Sequence, residues 1–225
     1  MPLPSLQPRY HARLAGLLYL IIIVCGISSE IAVRSSMILW DDAAATAANI
    51  TAASGLFKAG FFLDLLMILS DVAIALVFYL IFEPVNRFLV LGTTLFRLIQ
   101  AAILGSGLLL YFAALLVLQA DGLNSVSQNE TALLFLRLHA HGYDLGLVFF
   151  AVSCLFMGLL ILRSGYVPAV IGYGMIASGA VYFAGSVTRF LAPEYSPMLD
   201  IAYLIPFAAE LSFALWLLLR GVRSA

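Results

Sequence analysis

Six apolar runs, each long enough to cross a bilayer, dominate the chain, near 14–33, 56–82, 88–118, 132–162, 167–191 and 199–219. A hydrocarbon core about 30 Å thick needs roughly 20 apolar residues per helix. Inside that core every backbone N–H and C=O has to be bonded within its own segment, which leaves the helix as the solution for runs of this length. The runs therefore predict an all-α membrane protein: six transmembrane helices in one bundle, a single domain over 1–225. Composition agrees. Mean hydropathy is +1.08, and 64% of residues are hydrophobic against 10% charged, where soluble domains carry about 25% charged residues.

A net charge of −1 offers no basic face, so nucleic acid is not an expected partner. The expected partners are the lipid bilayer, a small-molecule or ion ligand, and a second copy of the chain in a homo-oligomer. No residue pattern names a cofactor. Cys25 and Cys154 both lie in apolar runs and read as packing groups, not as an extracellular disulfide. Arg9 and Arg13 precede the first run without a small-residue cleavage site after it, so that span is expected to stay as an anchor.

Short turns at Glu83-Pro84-Val85-Asn86-Arg87 and Arg163-Ser164-Gly165-Tyr166 predict two antiparallel hairpins, spans two with three and four with five. One side of the membrane then holds Arg9, Arg13, Arg87, Arg163, Arg220 and Arg223, and the other holds Arg34 and Lys58, with Arg189 near its edge. The positive-inside rule puts both termini in the cytoplasm. In the outer connection Arg34 to Gly55, Asp41-Asp42 followed by an Ala-rich run predicts a short surface helix capped by Asp and ended by Gly55, acting as a lid or spacer. A second outer loop, Gln119 to Thr131, carries Asp121-Gly122, Asn124 and Ser125 and reads as solvated turns. Gly142-x-x-x-Gly146 and Ala101-x-x-x-Gly105 mark close helix contacts, because small residues let backbones approach in lipid.

Against this apolar background stand Glu30, Asp64, Asp71, Arg97, Gln100, Arg137, His139, His141, Asp144, Arg189 and Glu210. Ionisable groups within a bilayer are costly, which makes them the best functional signal here. Counting about 1.5 Å per residue from the cytoplasmic ends puts Asp71, Arg97 and Glu210 at a similar depth, roughly 14–17 Å. Gln100 lies one turn from Arg97 on the same face. Pro206 is expected to kink the sixth span a turn before Glu210. Two carboxylates against one guanidinium leave either a bridge from Arg97 to both acids or one carboxyl that holds a proton. The simpler reading pairs Arg97 with one acid and locks the helices together.

A second layer lies nearer the outer side. Asp64 precedes Asp71 by seven residues on nearly the same face, and Arg137, His141 and Asp144 follow i, i+4, i+7 spacing. Glu30 is placed to join them. Such a set has the residue types of a proton relay, and Asp64, His141 and Asp144 those of a metal site. His139 and His141, two apart on a helix, diverge too far to share an ion; spacing favours His141 as the inward one. Arg189 reads as a snorkelling edge residue.

Several stretches carry a likeness: Arg13-Leu-Ala-Gly-Leu-Leu-Tyr-Leu, the run from Asp42 to Ile50, Leu63-Asp-Leu-Leu with Asp71-Val-Ala, Phe96-Arg-Leu-Ile-Gln-Ala-Ala, the segment Leu138 to Phe150, and Arg163-Ser-Gly-Tyr-Val-Pro. Together they resemble a bacterial family of multi-pass membrane proteins, the domain-of-unknown-function family DUF4386, from Arg13 to the end of the fifth span. The resemblance implies a bacterial cytoplasmic (inner) membrane location and brings no activity, substrate or cofactor with it. From the residues themselves, the expectation is a protein that binds or transports a small molecule or ion through an outward-facing polar cavity. Spans two, three, four and six would line it, and Asp71, Glu210 or His141 would exchange a proton. An intramembrane enzyme, in one version metal-dependent, acting on a lipid-phase substrate is the alternative. A non-catalytic membrane partner subunit whose charges only fix packing is the third.

Overall fold

The structure is a computed structural model and describes residues 8–120 and 124–222. Helix α1 (Pro8–Ser28) runs on through a π-helical stretch (Ser29–Arg34) and a last α turn (Ser35–Met37). A short α2 (Ala43–Ala52) follows, then α3 (Ser54–Phe82), α4 (Arg87–Leu118), α5 (Ser125–Ser164) and α6 (Ala169–Leu191). A 3-10 stretch (Pro193–Tyr203) leads into α7 (Leu204–Leu219). Six of these segments are long and apolar enough to cross a membrane: Arg9–Met37, Ser54–Phe82, Arg87–Leu118, Ser125–Ser164, Ala169–Leu191 and Pro193–Leu219. The protein is a multi-pass helical membrane protein.

Local chemistry explains where the helices start. Asn86 Oδ1 accepts the Leu89 N–H at 3.0 Å and Asn124 Oδ1 the Ser127 N–H at 2.8 Å, each satisfying a donor left free at a helix start. Asp42 caps α2 in the same way, accepting from Ala45 N at 2.9 Å, as its position predicts. At the other end of α5, Gly165 takes a positive φ of 67°, the left-handed cap that turns the chain into the α5–α6 hairpin.

The boundaries depart from the sequence reading in four places. Gly55 does not end α2; the break falls at Ala53, and Gly55 lies inside α3. The Gln119–Thr131 loop is shorter than expected, because the Asn124 cap starts α5 at Ser125; Asp121-Gly122, like Arg223, lies outside the described residues. Pro206 does not kink a long helix. It sits in the first turn of α7, where its missing N–H would have had no helical partner anyway. Arg34 is not in a loop: it belongs to the continuous first span.

Packing divides the bundle along its length. At the end bearing the termini, α1 meets α7 closely enough that a Cβ on Gly16 would fall 2.7 Å from the Ala214 carbonyl. Tyr19, Phe78 and Phe213 form a buried aromatic knot there, with ring centroids 5.6 to 6.2 Å apart. Helices α5 and α6 touch backbone to backbone: a Cβ on Gly158 would sit 2.7 Å from the Gly172 carbonyl. Cys25 and Cys154 are buried and unbridged.

Toward the opposite end, α1, α3, α4 and α5 share a second core around stacked Phe57 and Tyr111, 4.1 Å between centroids. Gly146 meets Leu104 there, as its small-residue spacing predicts. Gly105 meets nothing within 4 Å, so only Ala101 of that predicted pair packs. Helices α6 and α7 do not join this second core, and a cavity opens beside them.

Candidate functional site

The cavity has a volume of about 830 Å³, within the usual range for a small-molecule site. Its walls come from α1 (Ile22 to Arg34), α3 (Met67, Asp71), α4 (Gln100), α5 (Arg137 to Phe150), α6 (Tyr182, Arg189), the 3-10 stretch (Ser196, Tyr203) and α7 (Phe207, Glu210). Helices α1 and α6 thus contribute alongside the four spans expected to line it. Glu30, Asp71, Gln100, His141, Asp144 and Glu210 all border this one space, whereas Asp64 lies behind Arg34 and outside the lining.

At the floor, Arg97 and Asp71 form a buried pair, each 2% exposed. Arg97 Nε donates to Asp71 Oδ1 at 2.8 Å, and Nη2 lies 2.6 Å from the same oxygen. Gln100 Nε2 donates to Asp71 Oδ2 at 3.2 Å, a contact set up by the three-residue spacing of Arg97 and Gln100. Aromatic faces hold the guanidinium from behind, with Phe150 4.9 Å, Tyr19 5.2 Å and Phe78 5.9 Å from its carbon. Arg97 does not bridge both acids. Glu210, 6% exposed, instead accepts the Tyr182 hydroxyl at 2.7 Å, and among the described residues no Lys or Arg pairs with it.

The outer layer resolves into two separate groups of ion pairs, one around Arg34 and one at Arg189. Arg34 Nη1 donates to Asp64 Oδ2 at 2.5 Å and to Ser29 Oγ at 2.9 Å, while its Nε donates to Glu30 Oε2 at 2.7 Å. Residues five apart diverge by about 140° in an α-helix. The π-helical turn, whose Ser35 N–H bonds the Glu30 carbonyl, brings Ser29 and Arg34 round to one side and turns Arg34 inward. Across the cavity Arg189 Nη1 donates to Asp144 Oδ1 at 2.7 Å, so Arg189 closes a pair instead of snorkelling.

Of the two histidines it is His139, not the His141 that spacing favoured, that is buried, and it faces another helix. His139 is buried against α4, its Nδ1 3.0 Å from the Gly107 carbonyl. His141 is exposed at the cavity mouth, its ring 5.8 Å from Phe190. Asp64, His141 and Asp144 are not brought together, and among the described residues no group of three His, Cys, Asp or Glu side chains is placed to hold a metal ion. The two Asp residues that looked like co-ligands face different arginines.

Sequence reasoning missed Arg34, Arg189 and Tyr182. The i, i+4 spacing of Glu30 and Arg34 was the available signal that α1 continues through Arg34. Tyr182 carried none, since a Tyr in an apolar run reads as packing.

Four residues of the lining each carry a buried polar atom with no protein hydrogen-bond partner: Gln100 Oε1, His139 Nε2, Ser196 Oγ and the Tyr203 hydroxyl. Unpaired buried polar atoms are costly, and those on lining residues are placed where a water or polar ligand in the cavity could be their nearest partner.

Comparison with known proteins bears on kinship. An "Uncharacterized protein" of the archaeon Archaeoglobus fulgidus is 26% identical over 156 residues, covering 69% of this chain and 80% of that one. No solved structure matches the chain. The archaeal relative means that the likeness is not confined to bacteria. The family model described as "Domain of unknown function (DUF4386)" matches residues 14–221, nearly the whole bundle, and the chain belongs to that family.

Proposed function

We propose that this protein binds a small molecule or ion in the cavity between α1, α5, α6 and α7, and moves it toward or across the bilayer. The observation that carries this reading is one roughly 830 Å³ space with residues of every spanning segment in its walls, carboxylates and arginines among them. A bundle that used its charges only for packing would have no need to leave that space open. The Arg97–Asp71 pair secures the floor in this account, and Glu210 is the buried acid left to respond to a ligand or proton.

Orientation follows the positive-inside rule. Arg9, Arg13, Arg87, Arg163 and Arg220 lie at the end bearing the termini, and Arg34 leaves the opposite count because it is paired inside the bundle. Both termini are then cytoplasmic, the cavity faces outward, and the setting is a prokaryotic cytoplasmic membrane. The metal-dependent enzyme reading loses its motivating residue set, since Asp64 and Asp144 serve separate arginines.

The test is thermal unfolding of purified protein with panels of organic cations, anions, zwitterions and sugars, repeated on Ala140→Trp, which fills the cavity wall. At least one class should stabilise the parent and not the filled variant. Vesicle uptake of that class then distinguishes transport from binding. Equal responses of parent and filled variant to every class would contradict the reading.

A further inference from the structure

The geometry points to an organic cation, an ammonium carried on an apolar or aromatic body, as the occupant, with its charge set against Glu210. This rests on the cavity reading above and names the ligand class for that site.

Charge balance is the first support. The floor holds Asp71, Arg97 and Glu210, and Arg97 is committed to Asp71 in a direct pair. One buried carboxyl therefore borders the cavity without a cation of its own. Gln100, 4% exposed and part of the lining, adds a buried amide oxygen with no protein donor. A floor with two acids against the one Arg97 guanidinium, which pairs with Asp71 and acts on Glu210 only from beyond contact distance, favours a positive ligand over an anion. At the mouth Arg34 is shared between Glu30 and Asp64 and Arg189 is held by Asp144, while Arg137 also borders the space and donates through Nη2 to the Trp40 carbonyl.

Wall chemistry is the second. Phe207 and Glu210, three residues apart, lie along one side of α7, Tyr203 ends the 3-10 stretch just before it, and the Tyr182 ring stands beside Glu210 through its hydroxyl bond. Aromatic faces attract cations. This chain already uses that attraction, placing Arg97 over Phe150 and Arg189 over Tyr203. Tyr182 and Phe207 have no such internal cation among the described residues.

The cavity edge is the third. Helices α1 and α7 pack tightly at Gly16 but part toward the other end, where Ile27, Ile31 and Phe207 border the cavity while 41%, 67% and 44% exposed. An apolar, open edge beside an acidic floor suits a cation with a hydrophobic body better than a hydrated inorganic ion.

The experiment is isothermal titration calorimetry on the full-length protein in nanodiscs, with benzyltrimethylammonium as the cationic probe and benzylphosphonate as its anionic counterpart. The cation should bind and the anion should not. Glu210→Gln, which keeps the shape and an acceptor for Tyr182, should weaken the cation about tenfold or more, since a nearby charge in this setting is worth several kcal/mol at most. Phe207→Ala, at a partly exposed position, should weaken it too, and it reads the same site if Glu210→Gln does not fold. Equal binding of both probes, or cation binding unchanged in both variants, overturns the assignment. If that equal binding disappears in Ala140→Trp, the cavity remains a binding site and only the ligand class is wrong. Cation binding untouched by Ala140→Trp as well removes both readings. Binding of neither probe overturns the cation assignment and leaves the cavity to its own panel test.

Discussion

The two ends of the bundle use the same helices differently. At the end bearing the termini, Gly16, Tyr19, Phe78 and Phe213 close α1, α3 and α7 on one another, and the core is apolar. Toward the other end the same α1 turns through a π-helical stretch, α7 gives way to 3-10 winding, and polar atoms border an open space. Regular α geometry and small or aromatic contacts go with sealing. Irregular winding goes with exposure of charge to the cavity, as expected where a helix has to re-aim side chains. The contrast separates charges that hold the bundle together from charges that remain free to act.

The sharpest way to break that contrast is at the pair on the boundary. Arg97→Met leaves Asp71 buried without its cation and should cost about 3–5 kcal/mol, whereas Arg97→Met with Asp71→Leu should recover most of it. Unfolding by SDS in mixed micelles measures both. If the double variant is no better than the single, the pair does more than neutralise itself. Next in size, Arg34→Met strands Asp64 and should cost about 3 kcal/mol in the same assay. Because Glu30 and Ser29 also lose their donor, the outer part of α1 should exchange its amide protons faster, while the segment around Gly16 stays protected.

Smaller effects sharpen the same division. Gly16→Leu overpacks the sealed end and should cost about 1–3 kcal/mol. Gly105→Ala, with open space around it, should be neutral or stabilise by up to about 1 kcal/mol through helix propensity. His141→Ala, exposed at the mouth, should shift stability by no more than about 0.5 kcal/mol. A larger loss there would mean that the mouth is packed against something.

What was legible in the sequence follows the same physics. Six spans, both hairpin turns and the Asp42-capped surface helix announce themselves through local hydropathy and capping, which need no partner. Asp71, Arg97 and Gln100 come together as depth counting and three-residue spacing predict. Partner choice across helices was not legible. Whether Arg97 takes Asp71 or Glu210 depends on helix rotation, and the answer turns on Tyr182, a residue with no signature. Arg34 was read as a loop residue because its charge ends the apolar run, yet a π-helical turn carries the helix past it. Which of His139 and His141 is buried was not legible either, because the Gly107 carbonyl that His139 meets lies on another helix.

Thiol accessibility tests the central claim most directly, namely that the polar groups border a wet cavity reached from the side away from the termini. In a background with Cys25 and Cys154 replaced, Ala140→Cys on the cavity wall and Ala75→Cys in the sealed core are exposed to a membrane-impermeant maleimide on each side of oriented vesicles. The account predicts labelling of Ala140→Cys only from the side opposite the termini and none of Ala75→Cys from either side. An unlabelled Ala140→Cys, or labelling of it from the terminal side, would contradict it.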